Sequence, residues 1–160
     1  MDAPPRSLDE RLRDTAALLS ATGADTWVAT ASAAGEAYLV PLSFGWTGEA
    51  VVLVTERRSP TARNLIAKRG ARLAFGGTRD VVMVDGELAG EPAAVPDADA
   101  ELVEVFVTQS GWDPRPMGDA ADYDVFAVRP VGVQAWREGN EIAGRTLMRD
   151  GEWLGPVDVR

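Results

Sequence analysis

The chain begins with a helical pattern of apolar and polar positions. Ser7 and Glu10 have the S-x-x-E spacing of a capping box, and leucines and alanines recur at helical spacing after it until Gly23. We therefore expect an amphipathic helix over residues 8–20. The proline-containing stretch before it, residues 1–6, is expected to be disordered.

The pattern then changes to three β-rich runs separated by connections of hairpin length. The runs cover residues 26–31, 37–44 and 50–55, with turn signals at residues 34–35 and 45–48. Strands joined by such short connections form an antiparallel meander.

The second half of the chain predicts a helix, two strands, a helix and a final strand pair. Ser59 followed by Pro60 is typical of an N-cap with proline at the first helical position. The predicted segments are a helix over 60–68, strands over 72–75 and 81–89, a helix over 97–109, and strands over 123–136 and 144–148. Six or seven short antiparallel strands with three helices favour a mainly β fold, a Greek-key-like barrel in one domain over residues 1–160.

Pro41 lies inside a run that otherwise has the character of a central strand. Because proline has no N–H to donate, we expect the sheet to be interrupted there, which would leave main-chain polar groups free for a ligand. A simple β-bulge is the alternative.

The composition excludes several kinds of chemistry. The 160 residues contain no cysteine and no histidine, and 16 Lys+Arg against 25 Asp+Glu give a net charge of −9. A disulfide framework, a thiolate nucleophile, a Cys/His zinc site and an imidazole base are thereby excluded, and we expect no metal site. The acidity argues against a nucleic-acid partner. The absence of a long apolar run or a signal-like start predicts a cytoplasmic protein without a membrane partner.

One basic segment, residues 57–69, stands out in this acidic chain. It contains no acidic residue and five basic ones: Arg57, Arg58, Arg63, Lys68 and Arg69. The segment coincides with the predicted helix start, where Ser59 and Thr61 add hydroxyls. Free N–H groups, the positive end of the helix dipole, hydroxyls and arginines together indicate a phosphate site. A solvated basic helix surface is the alternative.

Several segments, taken in their order along the chain, resemble those of the flavin-binding split β-barrel family. This family contains pyridoxamine 5′-phosphate oxidases and deazaflavin-dependent reductases. The resemblance covers nearly the whole chain from Trp27 to Trp153. The matching stretches are Trp27-Val-Ala-Thr, Ala37-Tyr-Leu-Val-Pro-Leu-Ser-Phe, Val52-Leu-Val-Thr, Ser59-x-x-x-Arg63-Asn64-Leu65, Val84-Asp-Gly-Glu, Trp136 and Arg145. It implies an antiparallel split barrel of six to seven strands, of the FMN-binding type, and a homodimer.

The resemblance also implies which residues contact the cofactor. The strand beside the flavin ring would be Pro41, Leu42, Ser43 and Phe44. Trp136 and Arg145 resemble a pair that reaches the flavin, often from the partner subunit. The residues near the ribityl chain and the phosphate would be Val54, Thr55, Arg57, Arg58, Ser59, Thr61, Arg63 and Asn64.

Two departures from the family pattern matter. Pro60-Thr61 stands where members that bind the phosphate tightly carry Arg-Lys or a lone lysine. Either Arg57 and Arg58 substitute for the missing charge, or the affinity is lower. The Arg-x-His substrate contact of true pyridoxamine-phosphate oxidases is also missing, because the chain has no histidine. We therefore do not expect that particular activity.

The resemblance implies a flavin-binding oxidoreductase that transfers a hydride between a reduced cofactor and a small organic acceptor. The cofactor would be FMN, or alternatively the deazaflavin coenzyme F420, and the partners would be the flavin and a small-molecule substrate. Since the flavin carries the hydride chemistry, no catalytic side chain is expected. The alternatives are a non-catalytic module that binds flavin, deazaflavin or haem, and a structural dimer whose cofactor site has decayed.

The tryptophans and Arg145 also have simpler interpretations. Trp27 and Trp46 are most simply core side chains of a small barrel, and core packing is an equal alternative for Trp136. Arg145 would need a buried anionic partner if it pointed inward, and would otherwise be an exposed charge on an edge strand.

Overall fold

The computed structural model describes residues 3–157. This part of the chain contains the helices α1 (Leu8–Leu19), α2 (Pro60–Lys68) and α3 (Ala100–Ser110). Its strands are β1 (Asp25–Ala31), β2 (Ala37–Trp46), β3 (Val51–Glu56), β4 (Gly70–Gly77), β5 (Asp80–Ala94), β6 (Tyr123–Trp136), β7 (Thr146–Arg149) and β8 (Glu152–Trp153). Short 3-10 turns lie at Val95–Asp97, Ala120–Asp122 and Gly139–Gly144.

Six of the strands close into an antiparallel barrel. The spatial order β4-β1-β2-β3 is that of a Greek key, with α2 in the long connection from β3 back to β4. Pairing of β3 with β6, from Val51↔Val128 to Glu56↔Tyr123, closes the barrel. The strands β7 and β8 extend the sheet beyond β6. The predicted mainly β, Greek-key barrel is therefore confirmed, while β8 was not predicted.

Helix α1 begins with the predicted capping box. The Ser7 main-chain N donates to Glu10 Oε2 at 2.7 Å, and the Glu10 main-chain N donates to Ser7 Oγ at 3.2 Å. Leu12 and Leu19 are buried on the face that packs against the barrel core. These reciprocal bonds satisfy two of the N–H groups that a helix start leaves without partners.

The expected disorder of residues 1–6 is wrong for Arg6. Its guanidinium lies 2.8 Å from Glu141 and 2.9 Å from Asp14, and its side chain is 9% exposed. Met1 and Asp2 lie outside the described residues. The sequence pattern missed Arg6 because its partner Glu141 lies 135 positions away in the chain.

Two apolar clusters hold the fold together. The barrel interior includes Phe44 and Phe75, whose rings meet edge to face with centroids 4.9 Å apart. A second cluster joins α3 to the outer side of β3 and β6 through Val54 and Phe106. Gly45 permits the close approach of α3, because a Cβ at this position would lie 2.8 Å from the Cα of Phe106.

The prediction of a core position is right for Trp46 and wrong for Trp27. Trp46 is buried, whereas Trp27 is 50% exposed. The side chains of a strand alternate between two faces, and Thr26 and Val28 occupy the inward positions on either side of Trp27. The indole therefore lies on the outer face of the barrel.

The interruption expected at Pro41 does not occur. Strand β2 runs through the proline, which pairs with Trp27 of β1. Instead, the pairing between β2 and β3 ends before the proline, at the ladder pair Phe44↔Leu53. Because no strand pairs with β2 on that side at Pro41, the missing N–H leaves no ladder hydrogen bond unmade there.

Candidate functional site

The barrel is split between β2 and β3. The two strands are paired only where Phe44–Trp46 meets Val51–Leu53. Beyond that point β2 stays paired with β1 and β3 stays paired with β6, so the two strands diverge. Residues 41–43 of β2 and 54–55 of β3 consequently border a gap without a ladder pair across it. We refer to this opening, bordered by residues 41–43 and 54–55, as the β2–β3 gap.

The N-terminus of α2 follows directly on the β3 side of the gap. Ser59 is its N-cap, and its Oγ accepts a hydrogen bond from the Ala62 main-chain N at 3.1 Å. The hydroxyls of Thr55 and Ser59 lie 3.4 Å apart, within hydrogen-bond distance. Thr61 is 1% exposed, and its hydroxyl has no hydrogen-bond partner within residues 3–157. The first turn of α2 contains no acidic residue to offset the positive end of the helix dipole, while Glu56 and Asp122 line a pocket with Arg57 and Arg58 just before it.

Two of the predicted arginines lie beside this helix start. Arg58 and Arg63 are both exposed, and the Arg63 guanidinium donates to the main-chain carbonyl of Arg58. Within the described chain neither forms an ion pair with a carboxylate. Their positive charge is therefore available to an anion at the start of α2.

Arg57, unlike Arg58 and Arg63, is paired with a carboxylate. Its guanidinium binds both oxygens of Asp124 on β6, at 2.7 and 3.1 Å, and this carboxylate raises the pKa of the arginine. Asp124 is 5% exposed, so the arginine neutralises a buried charge. Of the two arginines expected to replace the missing lysine, only Arg58 keeps a guanidinium without a carboxylate partner.

Asn64 joins α2 to the barrel wall. Its side-chain Nδ2 donates to Thr30 Oγ1 of β1 at 3.1 Å, and both residues are buried. This bond fixes the rotation of α2 about its axis, and with it the direction in which the first turn presents its polar groups. Sequence reasoning missed Thr30, which carries no signal apart from its inward position in β1.

Trp136 and Arg145, which the resemblance implies act as a pair at the flavin, lie next to each other in the structure. The Arg145 guanidinium lies 5.9 Å from the centre of the Trp136 ring, within the range of a cation–π contact. Its Nε donates to Gln134 Oε1 at 3.2 Å. Arg145 follows a 3-10 turn and precedes β7 instead of lying within a strand, and no carboxylate in residues 3–157 pairs with it.

In the described chain no hydrogen bond joins this pair to the gap. Trp136 pairs with Val81 of β5 and lies eleven positions along β6 from Val125, the ladder partner of Val54. The side-chain hydrogen bonds of Arg145 go to Gln134 and Ile142.

An exposed apolar patch covers the outer face beside Pro41. Trp27 is 50% and Leu39 is 59% exposed, and the Trp27↔Pro41 and Ala29↔Leu39 pairs place them on neighbouring strands. We call Trp27, Leu39 and Pro41 the outer patch. Exposed apolar side chains grouped in this way make the outer patch a candidate interaction surface.

None of the helices within residues 3–157 has the length and apolar character needed to cross a lipid bilayer. The same residues contain no group of three or more acidic side chains placed to hold a metal ion.

No family model matches the sequence, and no curated protein matches it significantly. Solved structures do match the fold. An F420 reductase is 18% identical with a TM-score of 0.60, over 73% of this chain and 93% of that one. A haem-binding protein from Mycobacterium smegmatis is 19% identical with a TM-score of 0.66, over 94% of this chain and 60% of that one. A pyridoxamine 5′-phosphate oxidase-related, FMN-binding protein from Nostoc punctiforme is 16% identical with a TM-score of 0.50, over 80% and 78%.

At these identities the similarity establishes the fold. The chain is a split β-barrel, as the resemblance in the sequence implied, and its matched structures include proteins named for F420, FMN and haem. These names do not agree on one ligand, so the choice of cofactor has to be argued from the residues of this chain.

Proposed function

We propose that the chain binds a flavin-type cofactor, FMN or F420, at the β2–β3 gap. In this proposal the protein is a homodimeric oxidoreductase that transfers a hydride between a reduced cofactor and a small organic acceptor. The observation that carries the proposal is that the split of the barrel adjoins the acid-free N-terminus of α2.

The residues at the start of α2 fit the phosphate of such a cofactor. A phosphate needs several donors and positive charge, and this turn offers the Ser59 hydroxyl, the buried Thr61 hydroxyl without a partner, and the helix dipole. Arg58 and Arg63 add guanidinium groups at its edge. A buried hydroxyl without a partner is unfavourable in the free protein, and a phosphate oxygen would satisfy it.

The strand edges of the gap fit the polar rim of a flat ring. Leu42 and Ser43 border the gap from β2, and Thr55 borders it from β3. The Ser43 hydroxyl already donates to Asp25 at 2.8 Å, so we assign its main-chain groups to the cofactor. The side chains of Phe44 and Val54 belong to the two apolar clusters, which likewise leaves the main chain for contact.

A bound flavin would supply the hydride chemistry. The chain's own part is to bind the anionic tail, to hold the ring against β2 and to exclude water from it. This division suits a protein with neither histidine nor cysteine, and we assign no side chain as an acid, a base or a nucleophile.

The homodimer is part of this proposal, because the Trp136–Arg145 pair forms no hydrogen bond with the residues that border the gap in its own chain. We propose that a second copy supplies this pair to the cofactor. A two-fold contact would also cover the outer patch. A monomeric mass at micromolar concentration would contradict this part of the proposal.

Titration of the apoprotein tests the proposal. FMN, F420 and haem are added separately while absorbance and tryptophan fluorescence are followed. Micromolar binding of FMN or F420 supports the site, and the lack of binding of both refutes it. The bound cofactor is then bleached with dithionite without oxygen, and menadione is added. Recovery of absorbance faster than with free cofactor supports the enzyme, and recovery no faster favours the non-catalytic binding module.

A further inference from the structure

A buried carboxylate lies in the loop that connects Trp136 to Arg145. Glu141 is 4% exposed and accepts four hydrogen bonds. Three come from Arg6, through its main-chain N at 2.9 Å and its side-chain nitrogens at 3.0 and 2.8 Å. The fourth comes from the Arg137 main-chain N at 2.8 Å. These donors lower the pKa of Glu141 to about 2, with the Arg6 side chain as the largest cause.

Arg6 connects this loop to two other parts of the barrel. Its guanidinium lies 2.9 Å from Asp14 on α1 and 3.4 Å from Asp80 at the start of β5. Arg137 lies within 3.3 Å of the same two aspartates. The pair formed by Arg6 and Glu141, which we call the latch, is therefore braced from both α1 and β5.

A second arginine from the N-terminal part of the chain holds the far end of the loop. The Arg11 guanidinium on α1 donates to the main-chain carbonyl of Gly144. Arg145 comes next, and its own carbonyl accepts from the Ala135 main-chain N at 2.8 Å. The loop over residues 137–144 is thus fixed at its middle by Arg6 and at its end by Arg11.

Arg145 is held from both β6 and the loop. Strands β6 and β7 share only the ladder pairs Val133↔Met148 and Gln134↔Thr146, and Arg145 lies just outside them, joined to β6 by the main-chain bond from Ala135. Its guanidinium contacts the Trp136 ring and the Gln134 side chain on β6 and the Ile142 carbonyl in the loop. The loop therefore completes the contacts that place the guanidinium.

We propose that the latch positions the Trp136–Arg145 pair for the cofactor, which makes Glu141 and Arg6 positioning residues of the site. This inference rests on the proposed function. Glu141 acts through the loop and does not touch the cofactor. Arg6, which precedes the barrel in sequence, thereby acts on the site through the loop.

The test uses Arg6→Gln as the primary variant, because Arg6 precedes the first helix and is not part of the apolar core. Glu141→Gln is the second variant, and the double variant completes a cycle. Arg115→Gln is the matched control, since it removes an arginine paired at 2.8 Å with both Glu104 and Asp113 on the surface. Two quantities are measured: hydrogen exchange of residues 137–145 in the apoprotein, and the Kd for FMN and F420.

Each single variant is expected to speed exchange in residues 137–145, to leave β1 to β4 protected and to weaken cofactor binding at least tenfold. The double variant should bind the cofactor no more weakly than either single variant. The Kd of Arg115→Gln should stay within twofold of the wild-type value. Faster loop exchange with an unchanged Kd overturns the positioning role while the proposed function stands. If the wild-type protein binds neither cofactor, both the proposed function and the positioning role are refuted. The exchange data then still report whether the latch holds the loop. An equal loss in Arg115→Gln also overturns the inference, because the effect would then be general.

Discussion

Replacing Ser59 by aspartate separates the two roles that we assign to this side chain. The Ser59 hydroxyl caps α2 through the Ala62 N–H at 3.1 Å, and we propose that it also binds the cofactor phosphate. Aspartate caps a helix about as well as serine, and a negative charge at a helix start adds about 0.3–1 kcal/mol of stability. Ser59→Asp should therefore unfold at the same temperature as the wild type or slightly above it.

The effect on cofactor binding should be large. A carboxylate about 4 Å from the phosphate repels one negative charge by about 4 kcal/mol at an effective dielectric constant near 20. That energy corresponds to a loss of roughly a thousandfold in affinity. Arg58 and Arg63 nearby would offset part of this repulsion, so we expect a loss of at least a hundredfold.

The assay pairs thermal unfolding with fluorescence titration of FMN and F420. Ser59→Ala serves as the comparison, because it removes the cap at a cost of about 1 kcal/mol without adding a charge. A Ser59→Asp variant that is stable and still binds the cofactor with wild-type affinity would refute a phosphate at this turn.

Further predictions concern Glu141, Gly45 and two arginines of the basic segment. The folded pKa of Glu141, about 2, lies below its ordinary 4.5, so its stabilising contribution is complete above about pH 4.5 and is lost as the pH falls toward 2. In urea unfolding between pH 2 and 6, the free energy of unfolding should fall less with decreasing pH in Glu141→Gln than in the wild type. An identical pH dependence in the two proteins would contradict this. Gly45→Ala should lower the free energy of unfolding by about 1–3 kcal/mol, because its Cβ meets the α3 backbone at 2.8 Å. Gly118→Ala, with nothing within 4 Å, is the control, and equal urea midpoints would refute the clash. Arg57→Gln should lower the melting temperature and leave the cofactor Kd within twofold, since Arg57 pairs with a buried aspartate. Arg63→Gln should weaken cofactor binding roughly 10- to 150-fold at an unchanged melting temperature. If Arg57→Gln weakened binding and Arg63→Gln lowered the melting temperature instead, the roles assigned to the two arginines would be wrong.

The elements of the fold could largely be predicted because their signals are local. The capping box at Ser7 and the Ser59-Pro60 helix start depend on neighbours within a few residues, and both form as predicted. The strands followed from period-two patterning and turn residues, with differences mainly at their ends. A small, mainly β barrel then followed from the number of short strands.

The contacts that decide the site could not be predicted, because they join distant positions. Arg57 is part of a basic run in the sequence, and only the fold shows that Asp124, 67 positions away, neutralises it. Arg6 and Glu141 are 135 positions apart. Trp27 shows a related limit: it alternates with Thr26 and Val28, so apolarity alone did not tell which face of β1 is buried.

Pro41 shows how a correct rule gave a wrong location. Proline does avoid ladder hydrogen bonding, and the sheet does open near it. The rule names the residue that lacks the N–H, however, and the divergence of β2 from β3 begins at Phe44, three positions further along. Which side of a strand lacks a partner is a property of the whole barrel.

The most direct test of the account is a crystal structure of the protein with FMN bound. We predict the phosphate within hydrogen-bond distance of Ser59 and Thr61 at the start of α2, and the ring along residues 41–44. A second copy should bring its Arg145 to that ring. A phosphate bound away from α2, or a ring held at a place other than the β2–β3 gap, would contradict the account.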